Sequence, residues 1–198
     1  MKPFRLILLT LTVFAFLLQP AAAQAAASRQ SAPTALVLTI DDAIMPSVQA
    51  YLERGMEEAE RQEVDLVVLQ LNTPGGSLDT MQNMVEAIRA SHIPVVVYVT
   101  PRGGWAASAG AIITLAGHAS AMAPETAIGA ASPVGGEGED LTETMETKVK
   151  EAMTALVRSL TTRRPEEARD LAEAMINEAR AVSADEALEV GLIDFLAA

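Results

Sequence analysis

Two short segments of this chain carry residue types that could together attack and cleave an acyl bond. The glycine pair Gly75 and Gly76 follows a strand-like apolar run, and Ser108 lies between small residues at the start of a helix-like run. Glycine lets the backbone turn sharply and present its N–H groups, and such donors can hold a developing oxyanion. The N–H of Ala109 and the positive end of the helix dipole would face the same space. This pattern predicts a nucleophilic serine beside an oxyanion-binding region.

Both segments also have a purely structural interpretation. A glycine pair serves equally well in an ordinary turn, and the small residues around Ser108 are typical of a tight helix-packing surface. One serine among many does not identify a nucleophile. The residues alone therefore leave both interpretations open.

A nucleophilic serine needs a base that accepts its proton. His92 precedes a strand at a predicted surface turn, and His118 follows Ser108 by ten residues. In a helix this separation amounts to about 15 Å along the axis. We therefore expect both histidines to be structural.

Lysine can also act as the base if it is neutral. An ordinary lysine pKa of about 10.4 would have to fall by about 3 units, which requires about 4 kcal/mol of desolvation or charge repulsion. Lys148 lies among apolar residues at helical spacing, and Lys150 projects roughly 200° away around the same predicted helix. A solvated lysine on an outer helix face, near the acidic residues of the loop before it, is the competing interpretation. We take Lys148 as the candidate base and Lys150 as the alternative.

Strand-like apolar runs alternate with helical periodicity along most of the chain. The predicted strands are 35–40, 64–71, 94–100, 119–123 and 192–195, and the predicted helices are 44–60, 78–88, 105–115, 145–162 and 165–178. Ser183 and Glu186 have the spacing of a capping box before one further short helix. Residues 132–144 have the composition of a solvated loop. The order of elements predicts an α/β fold with a largely parallel sheet flanked by helices.

The first 34 residues are predicted to lie outside this domain, which spans residues 35–198. Lys2 and Arg5 precede a run of apolar residues, and small residues follow, so residues 1–23 are typical of a signal peptide. The apolar run is shorter than the roughly 20 residues of a membrane-spanning helix, although an uncleaved anchor is the alternative. Residues 24–34 are predicted to form a flexible leader.

Composition argues against several classes of function. A chain of 198 residues with 50% hydrophobic residues suffices for one compact domain. The formal net charge of −12 argues against nucleic acid and anionic membrane surfaces as electrostatic partners. The absence of cysteine excludes disulfides and thiolate chemistry, and two histidines are too few for a histidine-rich metal site.

Taken in order, the motifs of this chain resemble the N-terminal protease domain of the NfeD family of membrane-associated serine proteases, within the ClpP/crotonase superfamily. The motifs are Leu71–Ser77, Ala107–Gly110, Met122–Pro124, Ile128–Ala130 and Ser183–Asp194. The resemblance extends over residues 35–195, nearly all of the predicted domain. It implies a ClpP/crotonase-like fold.

The resemblance also implies roles for individual residues. Ser108 matches the family's catalytic serine, and Lys148 follows it by the forty residues that separate serine and lysine in the family. Gly75, Gly76 and Ala109 match the oxyanion region. The Ser-His-Asp triad of ClpP does not fit, because its usual serine-to-histidine interval leads to a proline here.

The resemblance further implies a serine endopeptidase that hydrolyses peptide bonds in apolar stretches through an acyl-enzyme, without a metal or an organic cofactor. Its substrates would be membrane or exported proteins such as stomatin-like proteins, its location extracytoplasmic, and its assembly a homo-oligomer. Longer family members continue into transmembrane helices and a β-barrel domain, so a short form, a truncated gene and a fragment are all open. Two other functions also remain open, namely a catalytically silent peptide-binding or scaffold module and a crotonase-type acyl-CoA enzyme.

Overall fold

The computed structural model describes residues 32–135 and 142–198, and its elements alternate between strands and helices. The strands of the described part are β1 (Ala35–Asp41), β2 (Leu66–Asn72), β3 (Val95–Val99), β4 (Trp105–Ala107), β5 (Ala119–Met122), β6 (Ala127–Gly129), β7 (Ala181–Ser183) and β8 (Phe195–Leu196). The helices are α1 (Pro46–Arg61), α2 (Leu78–Ala90), α3 (Ala109–Ala116), α4 (Glu143–Leu160), α5 (Glu166–Asn177) and α6 (Ala184–Glu189).

The larger sheet is parallel throughout, in the order β1-β2-β3-β5-β8. Its second strand buries Val67, Leu69 and Leu71 completely. Helix α2 buries Met84 and Ile88 completely as well, because its apolar residues recur at helical spacing. The predicted α/β fold, with a largely parallel sheet flanked by helices, is confirmed.

A smaller sheet, in the order β4-β6-β7, holds the segment that leads to Ser108. Strand β4 runs parallel to β6, and β6 pairs antiparallel with β7. The prediction of one helix over residues 105–115 is therefore wrong at its start. Alanine favours a helix, but pairing with distant residues overrides this local preference. Strand β4 is held extended by hydrogen bonds to Thr73, whose N–H donates to Trp105 O and whose carbonyl accepts from Ala107 N–H.

The second half of the chain agrees with its predicted helices apart from their ends. The capping box of Ser183 and Glu186 is confirmed, with both of its hydrogen bonds present. The last strand is shorter than the predicted range 192–195. The N–H groups of Leu192 and Ile193 donate to Ala187 O, which keeps both residues in the turn after α6.

Residues Thr34–Ala198 form one compact unit. The predicted signal peptide, residues 1–23, and most of the predicted leader, residues 24–34, lie outside the described residues, as do residues 136–141 of the predicted loop. Of the helices that the structure describes, none combines the length and the apolar character that crossing a bilayer requires.

Candidate active site

Ser108 lies at the junction of β4 and α3, where the backbone turns sharply. Its φ and ψ angles are 54° and −118°, a combination that residues other than glycine rarely adopt and that costs about 1–3 kcal/mol. Its N–H donates to Gly129 O at 2.9 Å, and its carbonyl oxygen accepts from Ala111 N–H at 3.0 Å. The half-buried side chain makes no capping hydrogen bond to the helix, so its hydroxyl is not used in holding the turn.

Gly75 packs its Cα directly against the Ser108 side chain. A Cβ on Gly75 would lie 2.5 Å from Ser108 Cβ and 3.0 Å from Ser108 Oγ. A Cβ on Gly76 would lie 2.2 Å from the carbonyl oxygen of Ile44. Close approach therefore requires glycine at both positions, and the turn between β2 and α2 lies against the serine.

Two backbone N–H groups beside this contact have no acceptor among the described residues. Within residues 32–135 and 142–198, neither the Gly76 N–H nor the Ala109 N–H donates a hydrogen bond. The Gly75 N–H, in contrast, donates to Thr73 Oγ1 at 3.1 Å. Ala109 is the first residue of α3, so its N–H adds to the positive end of the helix dipole. The fold thus gathers the predicted glycines, the serine and Ala109 into one place.

Asn72 and Thr73, to which the sequence analysis assigned no role, hold the glycine turn in position. Thr73 is 1% exposed, and its backbone bridges to β4. The side chain of Asn72 donates to Asp41 Oδ1 at 2.8 Å and accepts from Trp105 N–H at 3.0 Å. A threonine hydroxyl that bonds an N–H two residues later is a recurring turn pattern, and this spacing is the sequence signal for Thr73.

The two candidate lysines lie on opposite faces of α4. Lys148 is exposed. The side chain of Lys150 is 25% exposed, and its Nζ lies 2.7 Å from Glu146 Oε1. Thr154, one turn after Lys150, is 4% exposed, so Lys150 lies on the face that packs inward. Helix α4 contacts α3, the helix that begins beside Ser108.

Both histidines lie beside β3. His118 Nδ1 accepts a hydrogen bond from Val95 N–H at 3.1 Å, and the His118 N–H donates to Val95 O at 2.8 Å. Burial, reinforced by the cation of Arg89, lowers the pKa of His118. His92 is exposed in the turn before β3. Among the described residues, no group of three or more His, Asp or Glu side chains is placed to hold a metal ion.

A protein-family model described as NfeD1b, N-terminal domain, matches residues 34–194. The matched range includes Ser108, Lys148 and the glycine turn. It covers nearly the whole compact unit.

Two curated relatives share about one third of their aligned residues with this chain. It is 34% identical to the membrane-bound protease PH1510 of Pyrococcus horikoshii over 195 aligned residues. The alignment covers 98% of this chain and 42% of that protein. It is 35% identical to the membrane protein NfeD1b of Bacillus subtilis over 105 aligned residues. This alignment covers 53% of this chain and 23% of that protein. The chain thus spans less than half the length of either relative.

Solved structures have the same fold. A variant of the 1510-N membrane-bound stomatin-specific protease, in complex with a substrate peptide, superposes with a TM-score of 0.76 at 31% identity, over 84% of this chain and 76% of that chain. ClpP1 from Listeria monocytogenes has a TM-score of 0.66 at 19% identity, over 81% of this chain and 90% of that chain. The second likeness concerns the fold alone, which is ClpP-like.

Proposed function

The chain belongs to the NfeD1b N-terminal domain family, and from this premise we propose that it is a serine endopeptidase with a Ser-Lys dyad. Its homology to a membrane-bound protease supports proteolysis as the activity. The observation that carries the proposal is the strained, uncapped Ser108 beside two N–H groups that have no acceptor in the part of the chain that the structure describes. Strain of this kind persists where the surrounding structure enforces it, and it clusters at active sites.

In the proposed mechanism, Ser108 Oγ attacks the carbonyl carbon of the scissile peptide bond, and the neutral amine of Lys148 accepts the hydroxyl proton. The N–H groups of Gly76 and Ala109 hold the oxyanion that develops on the carbonyl oxygen. The ammonium group of Lys148 then protonates the leaving amine, which leaves an acyl-enzyme on Ser108. Water attacks the ester carbonyl and Lys148 accepts a proton from that water. The tetrahedral intermediate then collapses as Lys148 returns this proton to Ser108 Oγ, which restores the free serine and the neutral amine and releases the new carboxyl terminus.

Within this mechanism, Gly75 shapes the site and does not donate to the oxyanion. Its N–H is engaged by Thr73 Oγ1, whereas the absence of a Cβ is what lets the turn approach Ser108. The oxyanion donors are then the N–H of Gly76, the next residue of the turn, and the N–H of Ala109, the first residue of α3. Removing one such donor typically costs 10²–10³-fold in kcat.

We assign the base to Lys148, and we keep Lys150 as the alternative. The resemblance supports Lys148, because lysine follows serine by about forty residues in the family and Lys148 follows Ser108 by forty here. Lys150 could act only after breaking its contact with Glu146, at 2.7 Å. Lys148 is exposed in this structure, so the proposal requires that a bound peptide exclude water from its amine.

The proposed substrates are apolar stretches of membrane or exported proteins, including stomatin-like proteins. The 1510-N relative is a stomatin-specific protease solved with a substrate peptide. In this chain two large apolar side chains are exposed near the candidate residues in sequence. Trp105 is 52% exposed three residues before Ser108, and Met145 is 51% exposed three residues before Lys148. We also propose that the protein is exported, that an uncleaved signal can hold it at the membrane, and that it forms a homo-oligomer.

One observation favours a second function, a catalytically silent module that binds peptides without cutting them. Lys148 is exposed, whereas the dyad requires its amine in a site from which water is excluded. A silent module would bind the same apolar peptides and release them intact. Both functions therefore predict binding of apolar peptides, and only the protease predicts cleaved products.

The test uses the full chain, internally quenched apolar peptides, and the variant Ser108→Ala. We expect the wild-type protein to cut the peptides and the variant to lose on the order of 10³-fold or more in kcat while it still binds them. A fluorophosphonate probe should label the wild-type serine and leave the variant unlabelled. Cleavage that survives in Ser108→Ala would refute the serine mechanism, and binding without cleavage by the wild type would establish the silent module.

A further inference from the structure

We propose that Thr73 is a positioning residue that aims the oxyanion donors at Ser108. The inference rests on the proposed function of the same site. Thr73 touches neither the substrate nor the reacting atoms in this proposal. It acts through two backbone segments that carry the oxyanion donors, the glycine turn and the start of α3.

The first of these segments is the glycine turn. Thr73 Oγ1 accepts the Gly75 N–H at 3.1 Å, and this bond fixes the residue whose Cα touches Ser108. The peptide plane that follows carries the Gly76 N–H, and its oxygen, Gly75 O, accepts from the Thr73 hydroxyl at 3.4 Å and from Ile44 N–H at 2.7 Å. Thr73 and Ile44 together therefore set the direction of that donor. Thr73 is 1% exposed, so water cannot readily replace its hydroxyl as the acceptor.

The second segment is the start of α3. A Cβ on Gly110 would lie 2.5 Å from Thr73 Cγ2, so the threonine methyl group packs against the helix backbone one residue after Ala109. The main chain of Thr73 is also bonded to β4, through Ala107 N–H to Thr73 O at 3.0 Å. One side chain thus bonds the turn with its hydroxyl and contacts the helix with its methyl group.

Two substitutions separate these contacts. Thr73→Val has nearly the same shape and keeps a methyl group but removes the acceptor of the Gly75 N–H. Thr73→Ser keeps the hydroxyl and removes the methyl group. A matched control is Thr161→Val, since Thr161 is also 1% exposed and its hydroxyl donates to Val157 O at 2.7 Å.

The kinetic test measures kcat and KM on an apolar peptide below the melting temperature of each variant. We expect Thr73→Val to lose about 10–100-fold in kcat with KM changed less than about twofold, because a misdirected donor weakens mainly the transition state. Thr73→Ser should keep kcat within about threefold of wild type, and Thr161→Val should keep both constants. An unchanged kcat in Thr73→Val, or an equal loss in Thr161→Val, would overturn the proposal.

Amide hydrogen exchange tests the positioning role without relying on activity. We expect the Gly75 amide to exchange at least about tenfold faster in Thr73→Val, and at nearly the wild-type rate in Thr73→Ser and Thr161→Val. If wild type cuts no peptide and this pattern still appears, the proposed function fails and the positioning role stands. If Thr73→Val does not fold, comparison of Thr73→Ser with Thr73→Ala still decides. A kcat at least about tenfold higher in Thr73→Ser than in Thr73→Ala supports the role of the hydroxyl, and equal kcat values in the two variants contradict it.

Discussion

The Cα of Gly75 and the side chain of Ser108 are in direct contact, although they belong to different turns of the chain. A Cβ at residue 75 would come within 2.5 Å of Ser108 Cβ. The first turn follows β2 at the carboxyl edge of the parallel sheet, the edge at which open α/β folds form their sites. The second turn follows β4. The position of the candidate nucleophile therefore depends on the absence of a side chain at residue 75.

Gly75→Ala should remove activity and destabilise the fold together. The new methyl group overlaps Ser108, and residue 75 has φ 110°, so we expect a loss of about 2–4 kcal/mol in unfolding free energy. The control is Gly103→Ala, at φ 79°, where no described atom beyond its two chain neighbours lies within 4 Å of the added Cβ. It should cost only the backbone strain, about 1–2 kcal/mol, and should keep kcat. Urea unfolding measures the loss in unfolding free energy, and peptide hydrolysis measures kcat. Equal losses in Gly75→Ala and Gly103→Ala would show that the contact between Gly75 and Ser108 is not what activity depends on.

Ser108→Gly should make the protein more stable and inactive. Glycine adopts φ 54° and ψ −118° without the strain that the serine carries, and part of the gain is offset by the greater freedom of glycine in the unfolded chain. We expect a net increase of about 0.5–2 kcal/mol in unfolding free energy. Ser108→Ala is the control, because it loses the hydroxyl and keeps the strain. If urea unfolding shows Ser108→Gly to be no more stable than Ser108→Ala, the backbone at this position is not strained.

The larger sheet could be predicted from the sequence, whereas the smaller one could not. Strand β3 is apolar throughout, and β2 is apolar except for Gln70 and Asn72, a composition typical of strands buried in a parallel sheet. Strands β4, β6 and β7 have three residues each, too few for a periodic signal. Their pairing is set by long-range contacts, such as the hydrogen bond from Ala130 N–H to Arg180 O at 2.8 Å, which no local pattern encodes.

For the candidate site, the sequence predicted which segments meet but not which atoms remain available. Residue type and spacing made Ser108 and the glycine pair candidates, and the family resemblance implied their roles. They did not show that Thr73 Oγ1 engages the Gly75 N–H, because the direction of a hydroxyl depends on the folded turn. Helical geometry placed Lys148 and Lys150 on opposite faces, and only the packing of α4 shows which face is exposed.

Substitution of each lysine by methionine should identify the base. Methionine keeps much of the apolar stem and removes the amine. We expect Lys148→Met to lower kcat by about 10²–10⁴-fold, the usual contribution of a general base. Lys150→Met removes only the contact with Glu146 on the same helix and should keep kcat within about threefold, since such pairs contribute about 0.3–0.5 kcal/mol.

Melting curves of both lysine variants provide the control, because neither substitution should alter the fold. The reverse kinetic outcome, with loss only in Lys150→Met, would assign the base to Lys150. Full activity in both variants would leave Ser108 without a lysine partner and would contradict the dyad.

A half-buried ionic network fixes the end of the chain to the larger sheet. Arg164 forms two hydrogen bonds to Asp194, at 2.7 and 2.8 Å, and Asp194 Oδ2 also accepts from Ser120 N–H at 2.8 Å. Burial alone would raise the pKa of Asp194, but the hydrogen bonds from Arg164 and Ser120 outweigh it, so the pKa of Asp194 lies below its ordinary value.

This lowered pKa makes the contribution of Asp194 to stability depend on pH. A carboxylate that is more acidic in the folded than in the unfolded chain stabilises the fold above the unfolded-state pKa of about 3.9, and the effect is lost as pH falls through the folded-state pKa. We expect Asp194→Asn to lower the unfolding free energy by about 1–2 kcal/mol at pH 7, with a difference from wild type that shrinks below about pH 4. The control is Glu173→Gln, which breaks a pair with Arg158, a side chain that is 59% exposed. That pair is screened by solvent and should contribute less, so urea unfolding at several pH values should separate the two variants. A difference for Asp194→Asn that stays constant down to about pH 2 would show that its charge does not stabilise the fold.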